Sequence, residues 1–445
     1  MRILPAFLKR AIRTGRLRLY GPGGYEASFG DGNGPEVTAR ITDPALDWKI
    51  PLNPELATAE GYMDGTLIVE GGPEGGNAAD LLDLAISNRQ HLHGTPIQRL
   101  LFALRKASRS AAQYNPRSRS QRNVAHHYDL GNAFYRLWLD GDMQYSCGYF
   151  PRGDETIDEA QTAKKRHIAA KLALRPGQRV LDIGCGWGGL ALYLAATADV
   201  EVHGITLSDE QLAIARARAE AAGLADRVRF ERVDYRDVRD AYDRIVSVGM
   251  LEHVGARYLP QYFSRVRDCL APDGVALIHT ISSMDPPGST SPFMRKYIFP
   301  GGYTPRLSEI ARTIERVDLW GLDIEVWRVH YAHTLRAWRQ RFEARRPEVE
   351  AMYDARFARM WEFYLAACEA GFIHGPSNVL QLQIGRSRDA VPLSRDYIAE
   401  ASAALAARER EALPRLEAAT AHAFGEAPAE EPVEAQAARG QVAAK

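Results

Sequence analysis

Short apolar runs alternate with segments of helical periodicity between about residues 124 and 386, the pattern of a doubly wound, mostly parallel α/β sheet. Runs of Val, Leu and Ile predict strands at residues 180–183, 200–205, 228–232, 244–247 and 275–279. Helices are predicted near residues 158–174, 189–196, 209–222 and 260–270. Ser208 and Gln211 have the spacing of a capping box, and the Pro-Asp-Gly sequence at 272–274 predicts a turn before the fifth strand.

The first part of the chain has a different pattern, which predicts a small α+β domain over residues 1–89. Glycine-rich, strand-like segments occur at 17–21, 24–29, 37–41 and 67–69, and a helix is predicted at 81–86. Residues 3–12 form a basic amphipathic helix, because apolar side chains recur at helical spacing with cations between them. That helix either docks on its own domain or contacts a membrane surface.

Residues 180–190 (VLDIGCGWGGL) form an apolar strand, a glycine-rich turn and the start of a helix. Glycines at such a junction let a ligand lie against bare backbone, and dinucleotide-binding proteins share this spacing. A dinucleotide site would also need an acidic residue at the end of the next strand to hold a ribose hydroxyl. That strand ends in Thr206 instead. The sequence therefore favours S-adenosyl-L-methionine over NAD as the ligand.

Charge is balanced overall but unevenly distributed. The 445 residues include 56 Lys and Arg and 56 Asp and Glu, yet no acidic residue lies between Asp83 and Asp129. This polar, basic stretch predicts a linker at 90–123, which separates the first domain from a catalytic domain at 124–424. Residues 425–445 are rich in Ala, Glu and Pro without periodicity and predict a disordered tail.

Cysteine usage and hydropathy restrict the class of protein further. The four cysteines have neither metal-ligand spacing nor a disulfide framework, which indicates no metal site and a reducing compartment. No run approaches 18 uninterrupted apolar residues, so no membrane-spanning helix is expected. Lys9 and Arg10 interrupt the apolar run at the N-terminus, which argues against a signal peptide.

Six blocks, in order, carry a resemblance to a known family. They are 127–150 (HYDLGNAFYRLWLDGDMQYSCGYF), the GCGWGG turn, 204–211 (GITLSDEQ), 249–255 (GMLEHVG), 279–281 and 297–303 (YIFPGGY). Over about residues 123–386 the chain resembles the cyclopropane-fatty-acyl-phospholipid synthase family, which is related to the mycolic acid cyclopropane synthases. The resemblance implies a Rossmann-like class I S-adenosylmethionine-dependent methyltransferase, preceded by a domain on the lipid side.

The reaction implied by the resemblance adds a methylene unit to the cis double bond of an unsaturated acyl chain. Attack on the sulfonium methyl leaves a carbocation, and ring closure requires removal of a proton from the new methyl group. Aromatic rings can stabilise such a cation by roughly 0.5–2 kcal/mol each. The aromatic candidates are Tyr145, Tyr149, Phe150, Tyr297, Phe299, Tyr303 and Tyr331.

The family is understood to use bound bicarbonate as the base, and the resemblance assigns five positions of this chain to its cage. They are Cys147, Glu252, His279, Ile281 through a backbone group, and Tyr331. Hydroxyl, imidazole and backbone N–H groups can donate to the anion, while Glu252 can accept from its O–H. Cys147 as a covalent nucleophile is less favoured, because no general base lies beside it in sequence.

The cofactor positions combine the glycine turn with positions carried over from the family. Tyr145 and Ser146 are expected at the methionine or sulfonium end, and Gly184 and Gly186 along the methionine part. Asp182 is expected to orient the turn from behind. The ribose or carboxylate is assigned to Thr206 and Gln211, and the adenine to Asp234 and Tyr235. Trp187 either stacks on ligand or fills the sheet face.

The expected partners are a phospholipid membrane with an anionic surface and its unsaturated acyl chains, with the protein cytoplasmic and peripheral to the inner face of the cell membrane. Basic segments suit anionic headgroups. Nucleic acid is not an expected partner, because the arginines lack interleaved aromatics. A homodimer would present two lipid-side domains to one membrane. Two alternatives stay open: a fatty-acyl methyltransferase giving methyl-branched or methylene chains, and a catalytically idle lipid carrier or sensor.

Overall fold

The computed structural model describes residues 1–70, 76–92 and 130–425, which form two sheets with their helices. The predicted linker beyond residue 92 and the predicted tail from residue 426 lie outside the described residues. Within the described part of the chain, no helix has the length and apolar character needed to cross a bilayer.

The N-terminal unit contains a four-stranded sheet with the order β2-β1-β3-β4. Its strands are β1 Arg16–Gly21, β2 Tyr25–Phe29, β3 Glu36–Ile41 and β4 Leu67–Glu70. β1 is antiparallel to β2 and parallel to β3, and β4 is antiparallel to β3. All four strands lie where the apolar pattern predicted them.

The α-helices of the described residues are α1 Ile3–Ala11, α2 Leu46–Leu52, α3 Pro54–Met63, α4 Ala78–Ser87, α5 Arg89–Leu92, α6 Asn132–Arg136, α7 Ile157–Lys171, α8 Gly189–Ala198, α9 Asp209–Ala221, α10 Leu259–Cys269, α11 Leu307–Arg316, α12 His330–Ala344, α13 Arg346–Met352, α14 Ala355–Ile373 and α15 Asp396–Ala423. The predicted helices correspond to α1, α4, α7, α8, α9 and α10, with ends shifted by a few residues. The pattern did not reveal α2, α3, α5, α6 or α11 to α15.

The basic amphipathic helix α1 docks on its own domain. Leu4, Phe7 and Leu8 are buried against the N-terminal sheet, whereas Ile3 is 53% exposed. The Asp47 carboxylate in α2 accepts the backbone N–H groups of residues 2, 3 and 4, which have no partner within α1. The apolar face of this helix therefore packs on its own domain, as the first of the two interpretations predicted.

The second sheet has seven strands in the order β10-β11-β9-β8-β5-β6-β7. They are β5 Arg179–Ile183, β6 Glu201–Thr206, β7 Val228–Arg232, β8 Tyr242–Val248, β9 Leu270–Ser283, β10 Trp320–Trp327 and β11 Ser377–Gly385. β5 to β9 pair in parallel, and β11 is antiparallel to both of its neighbours. The five predicted strands are β5 to β9, so the predicted doubly wound sheet is confirmed, with an antiparallel pair added at one edge.

Two local predictions differ from the structure. The Pro-Asp-Gly sequence is an irregularity within β9 rather than a turn before it, because the pairing with β8 jumps from Leu270 to Val275. Ser208 caps α9 by accepting from the N–H of Gln211 at 3.3 Å. The Gln211 side chain instead accepts from the Thr206 hydroxyl at 3.1 Å, so the reciprocal half of the capping box is replaced by a contact to β6.

A buried polar junction connects the two units. Glu362 in α14 is 1% exposed, and its carboxylate accepts from the Tyr62 hydroxyl at 2.7 Å and from the Ala78 backbone N–H at 3.2 Å. The second carboxylate oxygen binds Arg346 at 2.6 Å. Because Tyr62 and Ala78 belong to the N-terminal unit, this one side chain attaches α14 to both α3 and α4.

The chain crosses over at β5, since β6 and β7 extend the sheet on one side and β8 and β9 on the other. Ligands of doubly wound sheets bind outside the carboxyl ends of the strands at such a crossover. Gly184 and Gly249 follow β5 and β8 at this point. The fold therefore opens a ligand site between these two glycines.

Candidate active site

A large cavity of about 660 Å³ is lined by both units. This volume lies within the usual range for small-molecule sites. All five predicted catalytic residues line it, together with Tyr145 and Ser146. The N-terminal unit contributes apolar walls from α1 and its sheet, including Phe7, Leu19 and Ile41. The structure thus places the predicted polar residues at one cavity whose remaining wall is largely apolar.

Glu252 presents a buried carboxyl oxygen that lacks a partner. Its Oε1 accepts the backbone N–H of Ile281 at 2.6 Å, whereas Oε2 has no hydrogen-bond partner among the described residues. Burial raises the pKa of this carboxyl to about 7. A group that donates a hydrogen bond from the cavity would satisfy Oε2. The Ile281 N–H, expected to face the anion, is bound to Glu252 instead.

His279 is held in β9 as a neutral imidazole. Its Nδ1 lies 3.2 Å from the side-chain amide nitrogen of Gln381. Burial lowers the pKa of His279 well below its ordinary value, and the charges of Lys164 and Lys171 lower it further. The ring packs edge-on against Trp327, with centroids 5.0 Å apart. His279 can therefore act as a hydrogen-bond donor.

Cys147 and Tyr331 complete the set of predicted catalytic positions. Cys147 is 1% exposed, its Sγ–H donates to the Gly148 carbonyl at 3.3 Å, and burial raises the pKa of the thiol. A thiol with a raised pKa is a poor nucleophile, in keeping with the less favoured covalent role. The ring of Tyr331 packs against Trp338 and Phe372.

Four of the seven aromatic candidates face the large cavity. Its wall includes Tyr145, Phe299, Tyr303 and Tyr331. Tyr149 lies outside it, in a stack between His167 and Trp327. Tyr364, which the sequence analysis did not select, lines the cavity, and its hydroxyl lies 2.8 Å from the Tyr145 hydroxyl.

A buried lysine that the sequence analysis missed contacts Ser146. Lys164 in α7 is fully buried, and its Nζ donates to the Ser146 hydroxyl at 2.8 Å and to the Gln144 side chain at 2.7 Å. Burial lowers the pKa of the Lys164 ammonium, and the nearby Asp140 charge opposes that shift. Because the serine oxygen accepts from Lys164, its own hydrogen is directed elsewhere, which makes Ser146 a donor towards the cavity.

We expect Lys164→Met to weaken binding of S-adenosylhomocysteine about tenfold, as a buried polar group left without its partner costs about 1–3 kcal/mol. Isothermal titration of the variant, of Ser146→Ala and of the double variant measures the coupling between the two side chains. If Lys164 acts through Ser146, the double variant loses no more than the weaker-binding single variant. Fully additive losses would contradict this arrangement.

A small cavity of about 110 Å³ adjoins the first, and both are lined by Gly249 and His253. Its wall contains the predicted cofactor positions Gly184, Gly186, Thr206, Gln211, Asp234 and Tyr235. Gly186 has φ +55°, and a Cβ placed there would meet nothing within 4 Å, so open space lies above the turn. The backbone there is bare, as a close-lying ligand requires. The two adjoining cavities fit an elongated ligand whose ends lie in different surroundings.

Other predicted positions have structural contacts. Asp182 lines neither cavity; burial raises the pKa of its carboxyl to about 7. Both oxygens of Asp234 bind the Arg236 guanidinium, which orients Asp234 at the cavity wall. Trp187 is 4% exposed and donates to Asn132 at 2.7 Å, so it fills the fold rather than a cavity wall. A Cβ added at Gly189 would clash with the carboxylate of Asp142.

Sequence comparison finds relatives over most of the chain. It is 39% identical over 338 residues to the cyclopropane-fatty-acyl-phospholipid synthase of Escherichia coli K12, covering 75% of this chain and 84% of the relative. It is 34% identical over 388 residues to a probable fatty acid methyltransferase of Pseudomonas putida, covering 85% and 93%. Residues 115–382 match the sequence profile of the family described as mycolic acid cyclopropane synthetase.

Comparison of structures gives the same grouping. The cyclopropane synthase MmaA2 of Mycobacterium tuberculosis superposes with a TM-score of 0.58 at 32% identity, covering 61% of this chain and 99% of that structure. The mycolic acid cyclopropane synthase CmaA1, complexed with SAH and CTAB, superposes with a TM-score of 0.56 at 31% identity and the same coverage. The predicted fold class and the assignment to S-adenosylmethionine-dependent enzymes are thereby confirmed. This chain belongs to the mycolic acid cyclopropane synthetase family.

Proposed function

We propose that the protein transfers a methylene unit from S-adenosylmethionine to the cis double bond of acyl chains in membrane phospholipids, forming cyclopropane chains. The observation that carries this function is the large cavity, which combines long apolar walls with the partnerless Glu252 oxygen and adjoins the glycine turn. An apolar tail gains about 0.8 kcal/mol per buried methylene, so such walls favour a long alkyl chain.

S-adenosylmethionine would supply the methyl carbon, and bicarbonate would supply the base that removes the proton. Glu252 Oε2 would accept the O–H of the anion, and His279 Nε2–H would donate to one of its oxygens. Ile281 would act through Glu252, whose other oxygen it holds. Cys147 and Tyr331 would close the cage, while aromatic rings stabilise the cation on the lipid. Tyr145, Ser146 and the small cavity would hold the cofactor.

An exposed apolar patch on the N-terminal unit supports docking on a membrane. It consists of Ile3, Trp48 and Leu52, which are 53%, 51% and 44% exposed. Trp48 follows the Asp47 that binds the backbone of Ile3, and Leu52 lies one turn further along α2 and also lines the large cavity. Arg2 and Lys49 are exposed beside the patch. Apolar side chains bordered by cations are typical of surfaces that bind anionic bilayers.

We expect Trp48→Ser to lower the rate on anionic vesicles about fivefold or more, because half an indole surface contributes about 1–1.5 kcal/mol. Trp320→Ser is the matched control, since Trp320 is 50% exposed on the edge strand β10 of the other sheet. Rates on detergent-dispersed lipid should be unchanged in both variants. Equal vesicle rates for the two variants would refute docking through this patch.

The reaction is tested by incubating the protein with S-adenosylmethionine and vesicles of cis-monounsaturated phospholipid. A cyclopropane product gains about 14 daltons, the mass of one CH2, and shows ring signals by NMR. The same gain with an olefinic signal would indicate the second candidate, a fatty-acyl methyltransferase, which the Pseudomonas putida relative favours. Bound lipid without a mass change would indicate a carrier.

The predicted homodimer stays a prediction.

A further inference from the structure

One part of the large cavity wall is polar and continues directly from the predicted cage. His279, Ile281 and Ser283 alternate along β9 and all line the cavity. At about 3.3 Å per residue, Ser283 lies about 13 Å beyond His279 along the strand. Residues 285 and 288–291 follow in the next loop and also line the cavity. An acyl chain reacting near His279 could therefore have its ester end at this loop.

Arg306 is the central cation of this polar wall. Its Nε donates to the Asp285 carbonyl at 2.8 Å and its Nη1 to the Thr304 carbonyl at 2.7 Å. Both acceptors are neutral, and within the described part of the chain no carboxylate pairs with this guanidinium. Nη2 lies beside Gly288, 3.9 Å from where a Cβ would stand. The side chain is thus fixed by backbone groups while its charge is uncompensated.

The surrounding groups add further donors and a net positive charge. Arg89, from the N-terminal unit, lines the same wall and pairs with the Asp285 carboxylate at 3.4 Å. The Asp285 carboxylate thus pairs with Arg89, whereas Arg306 binds only the backbone carbonyl of Asp285. Ser289 and Ser291 line the wall as well. Guanidinium and hydroxyl donors around a glycine-containing loop match the oxygens of a phosphate group.

We propose that Arg306, together with the loop at 288–291, binds the phosphodiester of a phospholipid whose acyl chain occupies the apolar part of the large cavity. This inference rests on the proposed function and adds a headgroup site to it. The site recognises the anionic phosphate that phospholipids share. A neutral diacylglycerol carries the same acyl chains without that group, so it separates headgroup binding from binding of the chain.

The test compares cis-monounsaturated phosphatidylglycerol with the matching diacylglycerol, each dispersed in the same detergent micelles. We expect Arg306→Gln to lower kcat/KM for the phospholipid about 10- to 100-fold, as expected for lost charge-assisted hydrogen bonds. The rate on diacylglycerol should change less than about twofold. Arg306→Lys should recover part of the loss, since it keeps the charge. Arg312→Gln, on the exposed face of α11, is the matched control.

An equal loss on both lipids, or loss of S-adenosylhomocysteine binding, would mean that Arg306 only supports the loop and would overturn the proposal. Unchanged kinetics on the phospholipid would overturn it as well. Inorganic phosphate should leave the diacylglycerol reaction unchanged; a response to it would indicate a site for free phosphate instead. If the wild-type protein converts neither lipid, the proposed function itself fails, independently of the variants.

Discussion

Replacing Glu252 with glutamine should lower turnover about 10²- to 10⁴-fold, because the bicarbonate proposed as the general base would lose the acceptor that positions it, and such a base usually contributes a factor of this size. The amide oxygen of glutamine can still accept the Ile281 N–H, which occupies Oε1 in the structure. At the Oε2 position, however, the amide nitrogen donates and cannot accept the O–H of a bound anion. Affinity for S-adenosylhomocysteine should stay nearly unchanged, because Glu252 does not line the small cavity with the glycine turn and its assigned contact is to the anion.

Turnover is measured in buffers with and without added bicarbonate, and Glu315→Gln on the exposed face of α11 serves as the control. Full activity of Glu252→Gln in bicarbonate-depleted buffer would exclude the proposed cage.

The same variant also tests how stability depends on pH. Burial raises the pKa of Glu252 to about 7, so the folded state keeps a proton that the unfolded state loses at lower pH. The wild-type stability should therefore fall relative to the variant as pH rises towards 7.

Truncating Glu362 to alanine should lower the free energy of unfolding by about 2–4 kcal/mol, because a buried donor left without its acceptor costs about 1–3 kcal/mol. The Tyr62 hydroxyl and the Ala78 N–H would lose their acceptor, and the Arg346 guanidinium would lose its 2.6 Å contact while keeping Glu350 at 2.9 Å. Since two of these donors belong to the N-terminal unit, the variant should also loosen the contact between the units.

Urea unfolding followed by tryptophan fluorescence measures this loss. The control is Glu348→Ala on the neighbouring helix α13. It removes an exposed ion pair with Arg345 and should cost less than about 1 kcal/mol. Glu362→Gln should fall between the two, because its amide oxygen can still accept from Tyr62. Equal stabilities of Glu362→Ala and Glu348→Ala would contradict the assigned role of the junction.

The strands β5 to β9 were predicted because short segments rich in Val, Leu and Ile stand between segments of helical periodicity. Glycine directly follows β5 and β8, and Gly184, Gly186 and Gly188 all adopt the positive φ that the turn requires. The edge strand β10 escaped prediction because its pattern mixes exposed Trp320 with half-buried acidic residues. The core helices α12 and α14 escaped because their buried sides carry polar groups such as Thr334 and Glu362.

Residues that line the two cavities were predicted where the family motifs carry them, and side chains that depend on contacts across the fold were missed. Lys164 looks like a solvated helix residue, since its neighbours are charged, yet α7 buries it against the segment that holds Ser146. Trp48 lies in no recognised motif and is identified only by its exposure next to the cavity. Ile281 is the opposite case. The family motif assigned its backbone N–H to the bound anion, but in the structure this N–H donates to Glu252.

The large cavity has Glu252 and His279 on the seven-stranded unit and much of its apolar wall on α1 and the four-stranded sheet. Under the proposed function, the residues nearest the reaction and those that limit the length of the lipid tail would therefore lie in separate parts of the chain. Ala39, 1% exposed on the far sheet, lines the cavity; a bulkier side chain there would shorten the space for a lipid tail without touching Glu252 or His279. Under the proposed function, this division would let substitutions in the N-terminal unit change the preferred chain length while Glu252 and His279 stay in place.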